Sequence, residues 1–138
     1  MTRQEFSEML VKARKLYGKT QLDVCIETNT SESQVWRIEK GLNNYKVSYC
    51  YKYLNVVGAL LIVLLPDKQY RIPDYDSLMV FIKRQIDGKD TTYYQFAKTN
   101  NISPIILQQV MTGKITMTIN VLLKLANALD FTLSLGRK

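Results

Sequence analysis

One pattern of residues occurs twice in the chain, 72 positions apart and without a gap. The first copy is TQLDVCIETNTSESQVWRIEKG, from Thr20 to Gly41, and the second is TYYQFAKTNNISPIILQQVMTG, from Thr92 to Gly113. The agreement continues downstream, where Lys52, Asn55 and Leu61 match Lys124, Asn127 and Leu133. So regular a repeat predicts two copies of one structural unit. Units of about 60 residues are marginally stable alone, so we expect the copies to support each other or a second chain.

The charge of the chain favours a polyanionic partner such as nucleic acid. The net charge is +7 and the pI is near 9.4. Residues 1–69 contain ten basic and seven acidic side chains, and residues 70–138 contain nine and five, so the charge is not a basic tail. A surface that is cationic only for solubility is the alternative.

Other features of the composition narrow the class of protein. The segment from Met1 to Lys19 is polar and does not have the pattern of a signal peptide. The longest apolar run, Ala59–Leu65, is too short to span a bilayer, so no membrane partner is expected. Two lone cysteines, Cys25 and Cys50, suit a reducing compartment and predict a cytoplasmic protein. Without histidine or a cysteine pairing motif, we expect no metal site, no cofactor and no catalytic residue.

Within one copy, the order of apolar and capping residues predicts four helices. Thr20 is suited to cap the second helix and Ser31 the third. Between them, Asn29 is expected at a tight turn with positive φ, as is Asn101 in the second copy. A fourth helix is predicted from about Val47 to Val57, where apolar residues recur on one face.

Each copy also ends in a predicted strand. The run Leu60–Leu65 is short, apolar and β-branched, and it stops at Pro66. In Phe131–Leu135 apolar and polar residues alternate, as in a half-buried strand. Residues 66–76 are polar, contain two prolines and are interpreted as a linker. Our hypothesis is that the two strands pair within one chain to make a pseudo-dimer, and the alternative is that they pair between chains in a homodimer.

The polar and apolar residues of the first copy carry a family resemblance. Arg14 lies late in the first helix, Gln21 opens the second helix, and Cys25 is a small residue within it. The run S-x-S-x-V-x-R-I-E-x-G then covers Ser31–Gly41. In these positions the chain resembles the Cro/repressor-type helix-turn-helix family, also called lambda-repressor-like or XRE-type. The closing strand is similar to that of antitoxin repressors, in which two subunits pair their C-terminal strands.

The resemblance implies a fold class for the whole chain. The chain would be mostly α, with two tandem four-helix lambda-repressor-like modules that each end in a short β-strand. The first module would cover residues 1–65, and the second, diverged module would cover residues 77–138.

The resemblance further implies that the third helix enters the major groove of DNA. Arg37 would bind guanine, Gln34 would read adenine, and Glu32 would accept from a cytosine amine. Trp36 would either pack on a sugar or on thymine methyl groups, or cover the loop before the fourth helix. Residues at the helix ends and in the following loop would hold phosphates. The implied DNA-binding residues are Gln21, Ser31, Glu32, Ser33, Gln34, Trp36, Arg37, Lys40, Asn43, Asn44 and Lys46.

Two residues of the motif are implied to be structural. In the family, the positions of Arg14 and Glu39 form a semi-buried ion pair between the first and third helices. The second copy has Ile86 and Met111 at these positions, so the pair is exchanged as a unit for apolar residues. Such an exchange can preserve stability.

The second copy also changes its groove-facing residues. Pro104 suits the first position of a helix, but Ile105 and Ile106 are apolar where the first copy is polar. Neighbouring exposed isoleucines indicate either a protein contact or packing on thymine methyl groups. The residues of a possible second DNA or protein contact are Tyr93, Ser103, Ile105, Ile106, Gln108, Gln109 and Lys114.

Two functions follow as expectations. The first is a sequence-specific DNA-binding transcriptional regulator, a bacterial repressor that occupies double-stranded DNA and blocks polymerase. The alternative is an antitoxin or adaptor whose apolar second copy binds a protein partner. An enzyme is not expected, because the chain has no histidine, no glycine-rich phosphate loop and no suitably paired carboxylates.

Overall fold

The computed structural model describes all 138 residues as a mostly α-helical chain with one small antiparallel sheet. None of its helices combines the length and the apolar character needed to cross a membrane. No three histidine, cysteine or carboxylate side chains are grouped so that they could hold a metal ion. The elements, in chain order, are α1 (Arg3–Leu16), α2 (Gln21–Thr28), α3 (Glu32–Glu39), α4 (Val47–Val57), β1 (Ala59–Leu64), β2 (Gln69–Ile72), α5 (Tyr75–Asp87), α6 (Tyr93–Thr99), α7 (Pro104–Met111), α8 (Ile119–Ala128) and β3 (Thr132–Arg137).

The first half of the chain, α1–α4 with β1, and the second half, α5–α8 with β3, begin their helices with the same caps. Thr20 accepts a hydrogen bond from the backbone of Asp23, and Thr92 accepts one from the backbone of Gln95. Ser31 accepts from Gln34 at 3.2 Å, at the start of α3. These bonds satisfy backbone donors that the first helical turn cannot satisfy itself. The predicted caps of α2 and α3 are therefore confirmed.

The turns repeat as strictly as the helices. Asn29 and Asn101 have φ values of 53° and 58°, which confirms the predicted left-handed turns. Every other residue with positive φ also has a counterpart 72 positions away. The remaining pairs are Gly18 with Asp90, Gly41 with Gly113, and Gly58 with Asp130. The two halves therefore share a backbone path even where glycine has been replaced by aspartate, which tolerates this region better than most residues do.

The three strands are ordered β2-β1-β3, and β1 pairs with β3 within the chain. This pairing is the one predicted for the single chain. Ile62 lies opposite Ser134, its own counterpart in the repeat, and Leu61 lies opposite Leu135. In the repeat, Leu61 corresponds to Leu133 and Leu135 corresponds to Val63, and Val63 is indeed paired with Leu133. The register is therefore symmetric about the Ile62–Ser134 pair.

A second symmetric contact lies between the halves at the starts of α4 and α8. Lys46 and Thr118, again 72 positions apart, form an isolated antiparallel bridge. The backbone N–H of Val47 donates to Met117 at 2.8 Å, and that of Ile119 donates to Tyr45 at 2.8 Å. Val47 corresponds to Ile119 in the repeat and Tyr45 corresponds to Met117, so each hydrogen bond is the symmetry equivalent of the other. A pseudo-two-fold axis passing through this bridge and the Ile62–Ser134 pair accounts for both contacts.

A single hydrophobic cluster of 37 buried residues runs through both halves. It includes Phe6 and Leu54 from the first half, and Ile82 and Leu122 from the second. The strand β1 lies between β2 and β3, and most of its side chains are buried. The halves thus share their core, in agreement with the expectation that units this small support each other.

The segment interpreted as a linker, residues 66–76, contains more structure than its composition indicates. Gln69–Ile72 forms β2, which pairs with the outer edge of β1. Asp74 then caps α5 by accepting a hydrogen bond from Ser77 at 2.7 Å, so this helix begins at Tyr75, within the supposed linker. The closing strands are shifted by one or two residues from their predicted bounds, because pairing with each other determines where they end.

Candidate nucleic-acid interface

The helix α3 has one buried face and one exposed polar face. Val35, Ile38 and Glu39 are buried against the rest of the first half. All other residues of α3, with the cap and the residue after it, are exposed. The structure thus brings together on one surface Ser31, Glu32, Ser33, Gln34, Trp36, Arg37 and Lys40. A rigid helix with an exposed row of donors and acceptors is an arrangement that can read base edges.

Trp36 is the large apolar side chain of this surface. It is 48% exposed, so it is not buried under the loop before α4. An exposed indole offers a flat apolar face and one N–H donor. Its exposure therefore favours contact with a partner over cover of the loop before α4.

Beneath the polar face, Glu39 is the centre of a buried network. Arg14 forms a bidentate ion pair with it, with Nε–Oε2 and Nη2–Oε1 distances of 2.8 and 3.0 Å. Tyr53 donates from its hydroxyl to Glu39 at 2.6 Å, and Gln21 donates from its amide at 2.8 Å. The Arg14 side chain is 9% exposed and that of Glu39 is 3% exposed. The implied ion pair is therefore present and joins α1, α2, α3 and α4.

The network also controls the ionisation of Glu39. Burial alone would raise the pKa of its carboxyl, but hydrogen bonds from Arg14, Gln21 and Tyr53 outweigh burial and lower that pKa. Burial and the bond to Glu39 raise the pKa of the Tyr53 hydroxyl, which therefore remains a donor. The charged Glu39 therefore holds the buried side of α3 against α1, α2 and α4 through these hydrogen bonds.

Three predicted contact residues make structural hydrogen bonds. Gln21 donates one N–H of its side-chain amide to Glu39 and is half-buried, so its carbonyl oxygen and its second N–H lie outside this network. Asn44 accepts from the backbone of Asn120 at 3.0 Å, and so caps α8 of the other half. Ser31 holds the first turn of α3. The resemblance implied that Gln21 and Asn44 contact phosphates, and no local signal reveals these bonds because the partners lie 18 and 76 residues away in the chain.

A polar groove lies beside the exposed face of α3. Its volume is about 620 Å³, and it runs between the turn at Asn29, the loop after α3 and the start of α4. It brings together four of the predicted residues: Gln34, Asn43, Asn44 and Lys46. Among the lining residues that were not predicted, two stand out chemically. Lys52 adds a positive charge, and the hydroxyl of Tyr49 is buried without a hydrogen-bond partner.

In the second half the equivalent positions carry different chemistry. Ile86 and Met111, at the positions of Arg14 and Glu39, are both buried, and so is Leu125 at the position of Tyr53. Tyr93, at the position of Gln21, packs against the core. At these positions the second half therefore replaces the charged network with packing against the core.

The exposed face of α7 is apolar where that of α3 is polar. Ile105 is 72% exposed and Ile106 is 41% exposed, while Gln108 is exposed and Gln109 half-buried. Lys114 and Ile115 are exposed in the following loop. Ser103 caps the helix through Ile106, as Ser31 does in the first half. Of the second-half residues predicted to make a contact, Ser103 caps α7 and Lys114 follows it, whereas Tyr93 is half-buried at the start of α6.

Comparison of the chain with protein-family models, with curated proteins and with solved structures found no match.

Proposed function

We propose that the protein is a sequence-specific DNA-binding regulator, which acts as a repressor by occupying a duplex site in a bacterial cytoplasm. In this proposal α2, the turn at Asn29 and α3 form a helix-turn-helix, and α3 enters the major groove. The observation that carries it is the exposed polar face of α3, whose opposite side is held by the buried Glu39 network. Site-specific readout needs such a face on a rigid support.

The charge beside α3 supports the same proposal. Arg37 and Lys40 are exposed on the helix or directly after it, and Lys46 and Lys52 line the neighbouring groove. Phosphates on both sides of a major groove would meet these cations while Gln34 and Arg37 reach base edges. The negative charge of Glu32 at the start of α3 also interacts favourably with the helix dipole. Glu32 therefore has a structural role besides its proposed contact with cytosine.

The pseudo-two-fold axis supports a single chain as the binding unit. In dimeric proteins of this kind, two recognition helices meet successive major grooves about 34 Å apart. Here α3 and α7 are related by an axis within one chain, because both symmetric contacts join residues 72 positions apart. One molecule would therefore cover a whole site without a second copy.

The test is a titration of the protein with the DNA upstream of its own gene and with an unrelated duplex, at several salt concentrations. Arg37→Ala is measured beside Arg84→Ala, which removes an equal charge from an exposed position on α5. We expect Arg37→Ala to weaken binding to the preferred duplex by about 5- to 150-fold, the value of one bidentate base contact. Arg84→Ala should retain the wild-type preference. Equal binding to both duplexes that disappears with added salt would contradict the proposal, because it would reflect charge alone.

A further inference from the structure

The two halves present the same surface with different chemistry. The pseudo-two-fold places Ile105 and Ile106 where Ser33 and Gln34 lie in the first half, and Ile115 where Asn43 lies. The caps and the left-handed turns of the two halves match. A change of exposed residues on an unchanged backbone indicates a change in what is bound, since exposed isoleucines add nothing to the core.

The surroundings of the exposed isoleucines identify the kind of partner. No acidic residue lies between Asp90 and Asp130, a span that contains α6, α7 and α8. Lys98, Lys114 and Lys124 are all exposed within it. The corresponding span of the first half contains four carboxylates, Asp23, Glu27, Glu32 and Glu39. An apolar face on a segment whose only charged side chains are lysines is complementary to a polyanion that carries apolar groups.

Thymine supplies such groups. Its C5 methyl is the apolar feature that a base pair presents in the major groove, which is also lined by phosphates. A G·C pair would place polar base edges against the isoleucines without hydrogen-bond partners, and burying such edges is unfavourable. Packing of this face on a base pair would therefore discriminate between base pairs without hydrogen bonds.

We propose that α7 reads a thymine-containing half-site by packing Ile105 and Ile106 on thymine methyl groups. The complete DNA site would then be asymmetric, with a half read by hydrogen bonds under α3 and a thymine-rich half under α7. This inference rests on the proposed function, because it requires α3 to occupy the adjacent groove.

The experiment begins with selection of duplexes from a random library by the full-length chain. Single thymidines of the selected site are then replaced by deoxyuridine, which deletes the methyl group and keeps the base pair. In one half of the site we expect each critical replacement to weaken wild-type binding about fourfold, the value of one buried methyl-sized group.

The same titrations are run with Ile105→Ser/Ile106→Gln, which carries the residues of the first half at these positions. Both isoleucines are exposed, and thermal unfolding checks that this variant folds as the wild type does. It should bind the thymidine and deoxyuridine duplexes equally. Val80→Ser, at a 48% exposed apolar position on α5, should keep the fourfold difference.

The possible results separate the inference from the function that it deepens. A selected site with two equal inverted halves, or deoxyuridine duplexes bound as tightly as the parent, would overturn the inference and leave the regulator in place. Unchanged DNA binding by the isoleucine variant would also overturn it, and would leave a protein partner as the remaining candidate for this face. Failure to select any sequence would overturn the proposed function itself.

Discussion

At the scale of single residues, Glu39 shows how the first half stabilises the helix proposed to read DNA. Its carboxylate receives hydrogen bonds from Arg14, Gln21 and Tyr53, so its charge is buried but fully compensated. The second half uses Ile86, Met111 and Leu125 at three of these four positions. At equivalent positions, the first half therefore uses a charged hydrogen-bond network and the second half uses apolar packing.

The two solutions lead to a stability prediction. Glu39→Met leaves the Arg14 guanidinium buried without its partner, so we expect the free energy of unfolding to fall by about 3–5 kcal/mol. Arg14→Ile combined with Glu39→Met reproduces the pair found in the second half and should recover most of that loss. Urea unfolding measures both variants. A double variant no more stable than Glu39→Met alone would show that the apolar pair cannot replace the charged one in this half.

The same network predicts a dependence of stability on pH. The folded-state pKa of Glu39 is lowered from its ordinary value of 4.5. Ionised Glu39 therefore stabilises the folded state above that pH, and this stabilisation is lost as the pH falls through the folded-state pKa. We therefore expect wild-type stability to fall more steeply below about pH 4.5 than that of the Arg14→Ile/Glu39→Met variant. Glu5, Asp23 and Asp74 also have lowered pKa values, but the two proteins share them. Urea unfolding from pH 3 to 7 compares the slopes, and parallel curves would contradict this role of Glu39.

At the scale of the elements, the end of α3 is packed more tightly than the end of α7. Gly41 and Gly113 both have positive φ, of 69° and 80°. A Cβ at Gly41 would lie 2.9 Å from the Cα of Gln4 on α1, whereas a Cβ at Gly113 would meet nothing within 4 Å. The first half therefore tolerates no side chain where α3 meets α1.

This difference predicts unequal effects of one substitution. Gly113→Ala should lower the free energy of unfolding by about 1–2 kcal/mol, the cost of a left-handed alanine. Gly41→Ala should cost about 1–3 kcal/mol more, because the backbone of α1 must move away. Thermal or urea unfolding of the two variants provides a direct comparison. Equal losses would mean that α1 shifts without strain.

The sequence predicts the elements that depend on local residues and misses those that depend on distant ones. The caps Thr20 and Ser31 and the turn at Asn29 are local signals, and all three are confirmed. The strand β2 is short, polar and bounded by prolines, and it exists because β1 offers it an edge. Likewise, nothing near Asn44 in the chain shows that it caps α8. For the candidate site, the family resemblance implied an exposed face of α3, and the structure exposes Glu32, Ser33, Gln34 and Arg37 there. The resemblance could not show which side chains already make hydrogen bonds within the protein.

At the scale of the whole molecule, the contacts that join the two halves follow the pseudo-two-fold symmetry, whereas the exposed surfaces do not. The sheet and the bridge between Lys46 and Thr118 hold the halves together with contacts that the repeat makes equivalent. The strand β2 breaks this equivalence, because it covers the edge of β1 while β3 remains an edge strand. The exposed surfaces of α3 and α7 differ in chemistry, and the axis relates these two helices. The two halves therefore share a backbone frame, and their exposed faces differ.

The pairing of β1 with β3 predicts how a single half behaves. A fragment of residues 1–73 keeps β2 but lacks β3, so one edge of the buried strand β1 has no partner. Because the register is symmetric about Ile62 and Ser134, β1 of a second fragment fits the place of β3, with Ile62 opposite Ile62. We expect this fragment to fold only as a dimer, and the full chain to sediment as a 16.0 kDa monomer. Analytical ultracentrifugation and circular dichroism over a range of concentrations test both. A fragment that is folded and monomeric at every concentration would show that each half is stable without the shared sheet.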